Sequence, residues 1–480
     1  MSNEKTTLGR ELALASLVER APLASSLAAA FKEKGYRLAL VGGPVRDAIL
    51  GRLGNDLDFT TDAHPLETKK ILKVWAENIW DTGIAFGTVA GKRGDTTVEV
   101  TTYRTEKYED DSRNPDVEFG DSIEGDLSRR DFTINSMALE LTTEVPEFID
   151  PFNGIDDLAK KILRTPVSAA QSFSDDPLRM MRAARFASQL DFTLDQDVVD
   201  ALHNMAGRIT IISAERVRDE FTKLLMSPHP RIGITILVDS GLADFVLPEI
   251  PKLRLEIDEH HHHKDVYEHS ITVLEQAITQ EERLGGPNLV IRLAALLHDI
   301  GKPKTRNLIA GGGVSFHHHE VVGARLAKKR LKELRFDNDT IDAVETLTAL
   351  HLRFHGYGEG EWTDSAVRRY VRDAGELLTH LHILTRADCT TRNIKKAERL
   401  SRTYDSLEAR IAKLMEEEEL SKIRPDLDGA QVMQLLQIKP SADVGKALDF
   451  LMELRMEHGP LGEERATQEL LEWWRSRRHP

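Results

Sequence analysis

The chain has 480 residues, with 64 Lys+Arg against 79 Asp+Glu and a formal net charge of −15. At about 150 residues per domain, the length predicts roughly three domains. A composition of 40% hydrophobic and 30% charged residues is ample for several cores and excludes a disordered polymer.

No run reaches the ~20 apolar residues needed to cross a bilayer. The first residues lack the cationic stretch, apolar stretch and cleavage site of a secretory leader, so neither membrane insertion nor secretion is expected. The single cysteine, Cys389, forms no internal disulfide, CxxC redox pair or cysteine-based zinc site, which fits a reducing cytoplasm. The acidic balance argues against indiscriminate nucleic-acid binding, so any RNA partner must be gripped by a local basic groove.

In chain order, residues 36–41 (YRLALV) are an apolar run closed by Gly42-Gly43 and followed by VRDAIL. That pattern predicts strand, tight turn and helix. Further strands are expected at 56–60, 84–91 and 96–104, with an amphipathic helix over 66–79. Residues 105–124 are polar and aperiodic, a loop long enough to suspect function. From residue 168 strands become rare, and 177–190, 214–225 and 266–280 repeat apolar residues at i, i+3, i+4, as helices with one buried face do. The expected fold class is therefore α+β: a small mixed-sheet head followed by an all-α remainder. Expected segments are an N-terminal extension over 1–20, the head over 21–165, a helical neck and body over 166–258, a histidine-rich domain over 259–400 and a helical tail over 401–480.

Asp56 and Asp58 are one residue apart on a predicted strand and so share a face. Two carboxylates on Mg²⁺ are what phosphoryl transfer needs, one ion activating a hydroxyl and the other holding a triphosphate. Gly42-Gly43 permits close backbone approach to a phosphate. Glu99, on a later strand, is a candidate third carboxylate. Singly, an Asp-x-Asp also reads as a solvated pair and a Gly-Gly as a plain turn; the combination in this order is less ordinary.

The segments LVGGPVRDAILG, DLDFTT, VEVTTYR, RRDFTINSMAL, IDPFNGIDDL and DDPLRMMRAARFA follow one another across residues 35–225. In order and spacing they resemble class II tRNA nucleotidyltransferases and bacterial poly(A) polymerases. The resemblance implies a catalytic head with helical neck and body, using Mg²⁺ and nucleoside triphosphates on an RNA 3′ end. By position it makes Asp56 and Asp58 the metal ligands and assigns Gly42, Gly43 and Arg46 to the phosphate-binding turn. Arg129, Arg130 and Asp131 fall on the element that contacts ribose and triphosphate, although RRD also reads as a surface charge cluster.

Residues 174–187 read as one helix, with Ser174 as N-cap and Pro177 in its first turn. Asp176 and Arg179 then share a face, either as an intrahelical salt bridge or as a base reader. Cytosine and adenine each present an amino donor beside a ring-nitrogen acceptor, whereas guanine and uracil present a carbonyl beside an N–H. A carboxylate next to a guanidinium complements the first two and opposes the others. In the family this pattern does the base reading, which assigns Asp176 and Arg179 here and adds Arg182 to the nucleotide-binding set. Asp175 stands where relatives often carry Glu.

Downstream come His269, His298-Asp299, His319, His351 and Asp388. An adjacent His and Asp inside the apolar run LAALLHDI is costly unless paired or metal-bound. The mixed N/O set suits Mn²⁺, Fe²⁺, Co²⁺, Ni²⁺ or Mg²⁺ better than a closed zinc site. The run from about 260 to 400 resembles the HD phosphohydrolase superfamily. That resemblance makes His269, His298, Asp299 and Asp388 metal ligands, with His319 and His351 as extra ligands of a two-metal site. A degenerate domain kept for packing is the alternative. His260–His263, His317, His318 and His355 are read mostly as surface residues.

The expected function is template-independent CCA addition to the tRNA 3′ end from CTP and ATP, with Mg²⁺ at the transferase site and another divalent metal at the HD site. A poly(A) polymerase, an A-only or C-only enzyme, and a phosphohydrolase with a nucleotide-sensing head are the alternatives.

Overall fold

The structure is a computed structural model that describes residues 2–17, 21–107, 116–120, 122–255, 265–309, 313–356, 362–391, 393–418 and 424–478. The chain divides into two compact units, Met1–Pro248 and Glu249–Pro480.

The first unit is built on a mixed sheet. Its strands are β1 (Leu38–Val41), β2 (Asp56–Thr61), β3 (Asn78–Trp80), β4 (Thr88–Arg93) and β5 (Thr96–Thr102). A separate ribbon pairs β6 (Arg104–Lys107) with β7 (Asp116–Phe119), and β8 (Ala138–Glu140) and β9 (Glu147–Ile149) complete the main sheet. Among the described residues the sheet has seven strands in the order β3-β4-β5-β2-β1-β8-β9. Within that sheet, among the described residues, only β2 and β5 pair in parallel. Every residue of β1 is buried, as a strand covered on both faces requires. On β2, Leu57 and Phe59 enter the core while Asp56 and Asp58 face outward, the two-residue alternation of a pleated strand.

Several local expectations are corrected. Residues 66–79 are not one helix: the helix is Pro65–Trp75, Ala76 turns extended, and 78–80 form the edge strand β3. Residues 84–91 are not one strand: Ile84–Phe86 form a 3₁₀ turn, and Gly87 at φ 84° redirects the chain before β4 starts at Thr88. The described ends of the expected 105–124 loop carry β6, β7 and the helix Ile123–Ser128; residues 108–115 and 121 lie outside the described set.

The helix expected from Ser174 is two helices. Ala169–Asp175 is capped by Ser168, whose side chain accepts from Gln171 N, and Leu178–Leu190 follows. Pro177 disfavours a helical residue before it, and Asp176 accordingly adopts φ −140°, ψ 101°. The helix Pro230–Asp239 packs closely on Leu178–Leu190 through Gly233, where a Cβ would sit 2.3 Å from Ser188 Oγ and 2.7 Å from the Ala184 carbonyl. That contact fixes the second helix of the pair.

Among its described residues the second unit is helical apart from a short hairpin, Asn307–Ile309 with Gly313–Ser315. Val266–Ile278, Leu289–Leu297, His319–Glu333, Asn338–Leu350 and Leu378–Asp388 surround its chemistry. The last three helices, Gly429–Leu436, Ala442–His458 and Glu463–Arg478, have a core of their own around Val432, Leu436, Leu451 and Leu470. No single described helix is long and apolar enough to cross a membrane.

Candidate active sites

Parallel pairing of β2 and β5 sets Asp58 opposite Glu99 and Asp56 opposite Thr97. All three carboxylates therefore lie on the outward face. Asp58 lines an open cavity; desolvation by the surrounding protein atoms, with Glu99 and Asp56 nearby, outweighs the attraction of Arg130 and lifts its carboxyl to about 6. An all-oxygen donor set of clustered carboxylates suits a hard divalent cation such as Mg²⁺.

The cavity has a volume of about 650 Å³. Its walls carry eight arginines (46, 104, 129, 130, 179, 182, 185 and 216) against three aspartates (58, 131 and 176). A chain at −15 thus concentrates positive charge in one concavity, the local grip that the composition demanded. Gly42 and Gly43 line it. At Gly42, with φ 74°, a Cβ would come within 2.7 Å of Arg130 Nη1, so only glycine leaves both the turn and the guanidinium in place.

The RRD element is built in rather than a surface charge cluster. Buried Asp126 accepts from Arg129 Nη2 (2.6 Å) and Arg130 Nη2 (3.2 Å). Burial alone would raise the Asp126 carboxyl, but the two guanidiniums hold it below the ordinary range. Asp131 accepts from Phe132 N, Asn135 Nδ2 and the Arg182 guanidinium. The Arg182 charge outweighs burial and keeps the Asp131 carboxyl ionised far into acid. Arg46 donates to Asn135 Oδ1 (2.7 Å) and to Asp47, and lies over the Phe186 ring.

Asp176 and Arg179 do not form the intrahelical ion pair. Asp176 Oδ1 caps the second helix by accepting from Leu178 N (3.0 Å), and its Oδ2 pairs with Arg216 Nη2 (3.2 Å). Arg179, 7% exposed, donates to Ser172 Oγ (2.8 Å) and to the Arg129 carbonyl. Asp175 instead accepts from Gln171 (2.7 Å). Both Asp176 and Arg179 line the cavity, each held by its own partners.

In the second unit four imidazoles converge. His298 Nδ1 lies 2.9 Å from the Ala295 carbonyl, His319 Nδ1 2.8 Å from the Phe316 carbonyl and His351 Nδ1 2.7 Å from the Thr348 carbonyl. A carbonyl only accepts, so each Nδ1 carries a proton, which leaves the inward-facing Nε2 as the atom able to bind a cation. His269 Nδ1 is tied to Thr390 Oγ1 (3.1 Å).

Two ligand sets result: His269, His298 and Asp388, and Asp299, His319 and His351, each with donor atoms mutually within 4.8 Å. His269 Nε2 is 2.9 Å from Asp388 Oδ1 and 3.5 Å from Asp299 Oδ2, so Asp299 stands between the sets. His319 Nε2 is buried without a hydrogen-bond partner, as expected of a donor aimed at a cation. Burial would depress the metal-free His298 imidazole, but Asp299 and Asp388 outweigh it and raise it to about 9. Burial and neighbouring His298 drop His351 to about 3. Six buried or nearly buried ligands with a tied outer layer fit two divalent ions. Gly301 is required here, since a Cβ would lie 2.1 Å from the His319 carbonyl.

His317 and His318 are exposed. His260–His263 and the His355 side chain lie outside the described residues. Sequence reasoning missed Asp126, Arg185, Arg216 and Lys302. Arg185 pairs with Glu220 (3.1 Å), and Lys302 Nζ sits 2.9 Å from Asp299 Oδ2. Lys302 was legible as the basic residue closing HDIGK, and Asp126 as the acid three and four residues before Arg129 and Arg130; Arg185 and Arg216 gave no local signal.

A parallel carboxylate pair beside an arginine-lined cavity, followed by a helical unit with a His/Asp cluster, defines a nucleotidyltransferase joined to an HD domain. Residues 38–164 match the Poly A polymerase head domain, 191–253 the probable RNA and SrmB-binding site of polymerase A, and 266–419 the HD domain. The A-adding tRNA nucleotidyltransferase of Deinococcus radiodurans is 33% identical over 439 residues, 90% of this chain and 93% of that protein. The chain therefore belongs to the tRNA nucleotidyltransferase and poly(A) polymerase family. The CCA-adding enzyme of Streptococcus sanguinis is 42% identical over 228 residues, 47% of this chain and 55% of that protein. Among solved structures, the Bacillus stearothermophilus CCA-adding enzyme in complex with CTP superimposes with a TM-score of 0.68 at 24% identity, covering 95% of this chain and 98% of that one. The Thermotoga maritima CCA-adding enzyme complexed with tRNA gives 0.62 at 19%, covering 97% and 98%. At those identities the likeness establishes the fold.

Proposed function

We propose that the first unit adds C, C and A to the 3′ end of tRNA from CTP and ATP, without a nucleic-acid template, in the cytoplasm. The observation that carries this reading is one arginine-rich cavity lined by Asp58 together with Asp176 and Arg179. Gly42, Gly43, Arg46, Arg130 and Arg182 receive the triphosphate, with Arg129 and Asp131 holding that wall in place. Asp56, Asp58 and Glu99 hold Mg²⁺, which when bound lowers the pKa of the attacking hydroxyl and neutralises charge on the phosphates. The RNA 3′-hydroxyl releases its proton to solvent as its oxygen bonds to the α-phosphorus, the bond to the bridging oxygen breaks, and pyrophosphate leaves.

Asp176 accepts from the exocyclic amino group of C or A, and Arg179 donates to the adjacent ring nitrogen. Because both side chains are held by protein partners, G or U meets acceptor against acceptor and donor against donor, and unpaired polar groups make the rejection strong. The deciding experiment supplies tRNA ending before, within and after CC, with labelled CTP, ATP, GTP and UTP separately. Successive C, C and A incorporation is expected; AMP addition only to CC-ended tRNA would establish an A-adding enzyme instead. The near full-length match to the Deinococcus A-adding enzyme makes that the second reading.

For the HD unit we infer metal-dependent phosphoester hydrolysis. Two ligand sets with Asp299 between them support it, since divalent ions held by His269, His298, Asp299, His319, His351 and Asp388 would supply a nucleophile at neutral pH. Phosphomonoesters and 2′,3′-cyclic phosphates at RNA ends are the substrates to test, with Mg²⁺, Mn²⁺, Co²⁺ and Ni²⁺ in turn.

A further inference from the structure

Resting on the proposed transferase reading, we propose that Phe86 is the stacking platform for the terminal base of the RNA acceptor strand. The strand order places it for that role. β2, carrying Asp58, has β1 on one side and β5 on the other, with β4 beyond β5. The Gly42-Gly43 turn follows β1, so the triphosphate wall lies on one flank of Asp58. Phe86 precedes β4 and lies on the opposite flank, yet it lines the same cavity. In phosphoryl transfer the attacking and leaving oxygens stand roughly in line on opposite sides of the phosphorus. With the leaving pyrophosphate on the glycine-turn flank, the attacking 3′-OH and its nucleotide come from the flank of Phe86.

The turn itself is built to present a ring. Ile84-Ala85-Phe86 is apolar but buries none of its three side chains, and Phe86 is 47% exposed. Its backbone is nonetheless fixed. Phe86 N donates to Gly83 O (2.9 Å), Gly87 N to Ile84 O (3.1 Å), Thr88 N to Gly83 O (3.1 Å) and Thr102 N to Gly87 O (2.9 Å). The Arg104 guanidinium donates to the Phe86 carbonyl and lines the cavity beside it. An exposed aromatic ring on a clamped turn, next to a cation, is how single strands are gripped without reading sequence: every base has a stackable face and a phosphate near it. That tolerance matters, because the acceptor terminus changes from the discriminator base to C and then to C again as synthesis proceeds.

The test uses the full chain. Phe86→Ala should raise KM for tRNA acceptors about tenfold while leaving the dissociation constant for CTP, measured by equilibrium dialysis, within about twofold. Phe86→Trp and Phe86→Tyr should restore KM, and Phe86→Leu should not, which separates stacking from packing of the turn. A short RNA ending in 2-aminopurine should lose emission on binding the wild type and not on binding Phe86→Ala; this readout requires no turnover. Unchanged acceptor KM in Phe86→Ala, full rescue by leucine, or identical 2-aminopurine emission with both proteins would overturn the proposal. If the wild type adds no nucleotide to any RNA, the transferase reading fails, and the 2-aminopurine signal still decides the stacking.

Discussion

Arg216 Nη2 lies 3.2 Å from Asp176 Oδ2, across 40 residues of chain. The carboxylate proposed to read the base is therefore aimed from a neighbouring helix and not by Arg179, its near neighbour in sequence. Arg179→Ala should raise UTP or GTP misincorporation relative to CTP and ATP while triphosphate binding largely persists. Arg216→Ala should relax selectivity more mildly, by about tenfold, because Asp176 remains but loses its orientation. Competition assays with paired nucleotides read both effects; selectivity profiles matching the wild type would show that these residues are structural.

Asp58→Ala should abolish CMP and AMP incorporation alike, by ~10³-fold or more, since metal template and charge stabilisation are lost together. Binding of tRNA should persist in a filter or anisotropy assay. Retention of more than a few per cent of wild-type turnover would refute the metal assignment.

The raised Asp58 carboxyl, about 6 in the folded state against 3.8, makes a stability prediction with a definite sign. A group whose folded value lies above its unfolded one favours folding when protonated and opposes it when ionised. In EDTA, Asp58→Asn should therefore be more stable than the wild type at pH 8, by about 1 kcal/mol after solvent screening in an open cavity. The difference should vanish below about pH 4, and Mg²⁺ should raise the Tm of the wild type only. Thermal melts across pH measure this.

Asp126 carries the opposite sign. Its carboxyl lies below the ordinary range, so its contribution is present at neutral pH and is lost as pH falls below about 4. Asp126→Asn should cost about 2 kcal/mol at pH 7, because Arg129 and Arg130 lose their shared counter-charge. Nucleotide KM should rise as well. Convergence of mutant and wild-type melts in acid would confirm the linkage.

The two sites lie in different compact units and are chemically distinct. His298→Ala with Asp299→Ala should remove metal-dependent hydrolysis and leave nucleotide addition within about twofold. Both activities are measured on one preparation. Loss of addition in a folded double mutant would show that the sites are coupled, and wild type inactive as a hydrolase with every metal would favour a domain kept for packing.

Strand and helix periodicity, the Asp-x-Asp alternation and the helical His/Asp spacing were legible in the sequence because they are local: a pleat repeats every two residues and a helix every 3.6. The order and spacing of the motifs likewise carry the family resemblance without reference to tertiary structure. What the sequence did not disclose is set by contacts between distant segments. The parallel register that puts Glu99 beside Asp58, the contact of Arg182 with Asp131 and the reach of Arg216 to Asp176 each depend on how elements pack. The break at Asp176, where the backbone before Pro177 is extended, interrupts a periodicity that by itself reads as one helix. The four imidazoles show the division most plainly. Their identities stand in the sequence, and the carbonyl that holds Nδ1 of His298, His319 and His351 lies only three residues upstream of each; what tertiary structure decides is that they meet one another and His269, whose Nδ1 is tied to Thr390 across 121 residues, because the cluster is assembled from separate helices.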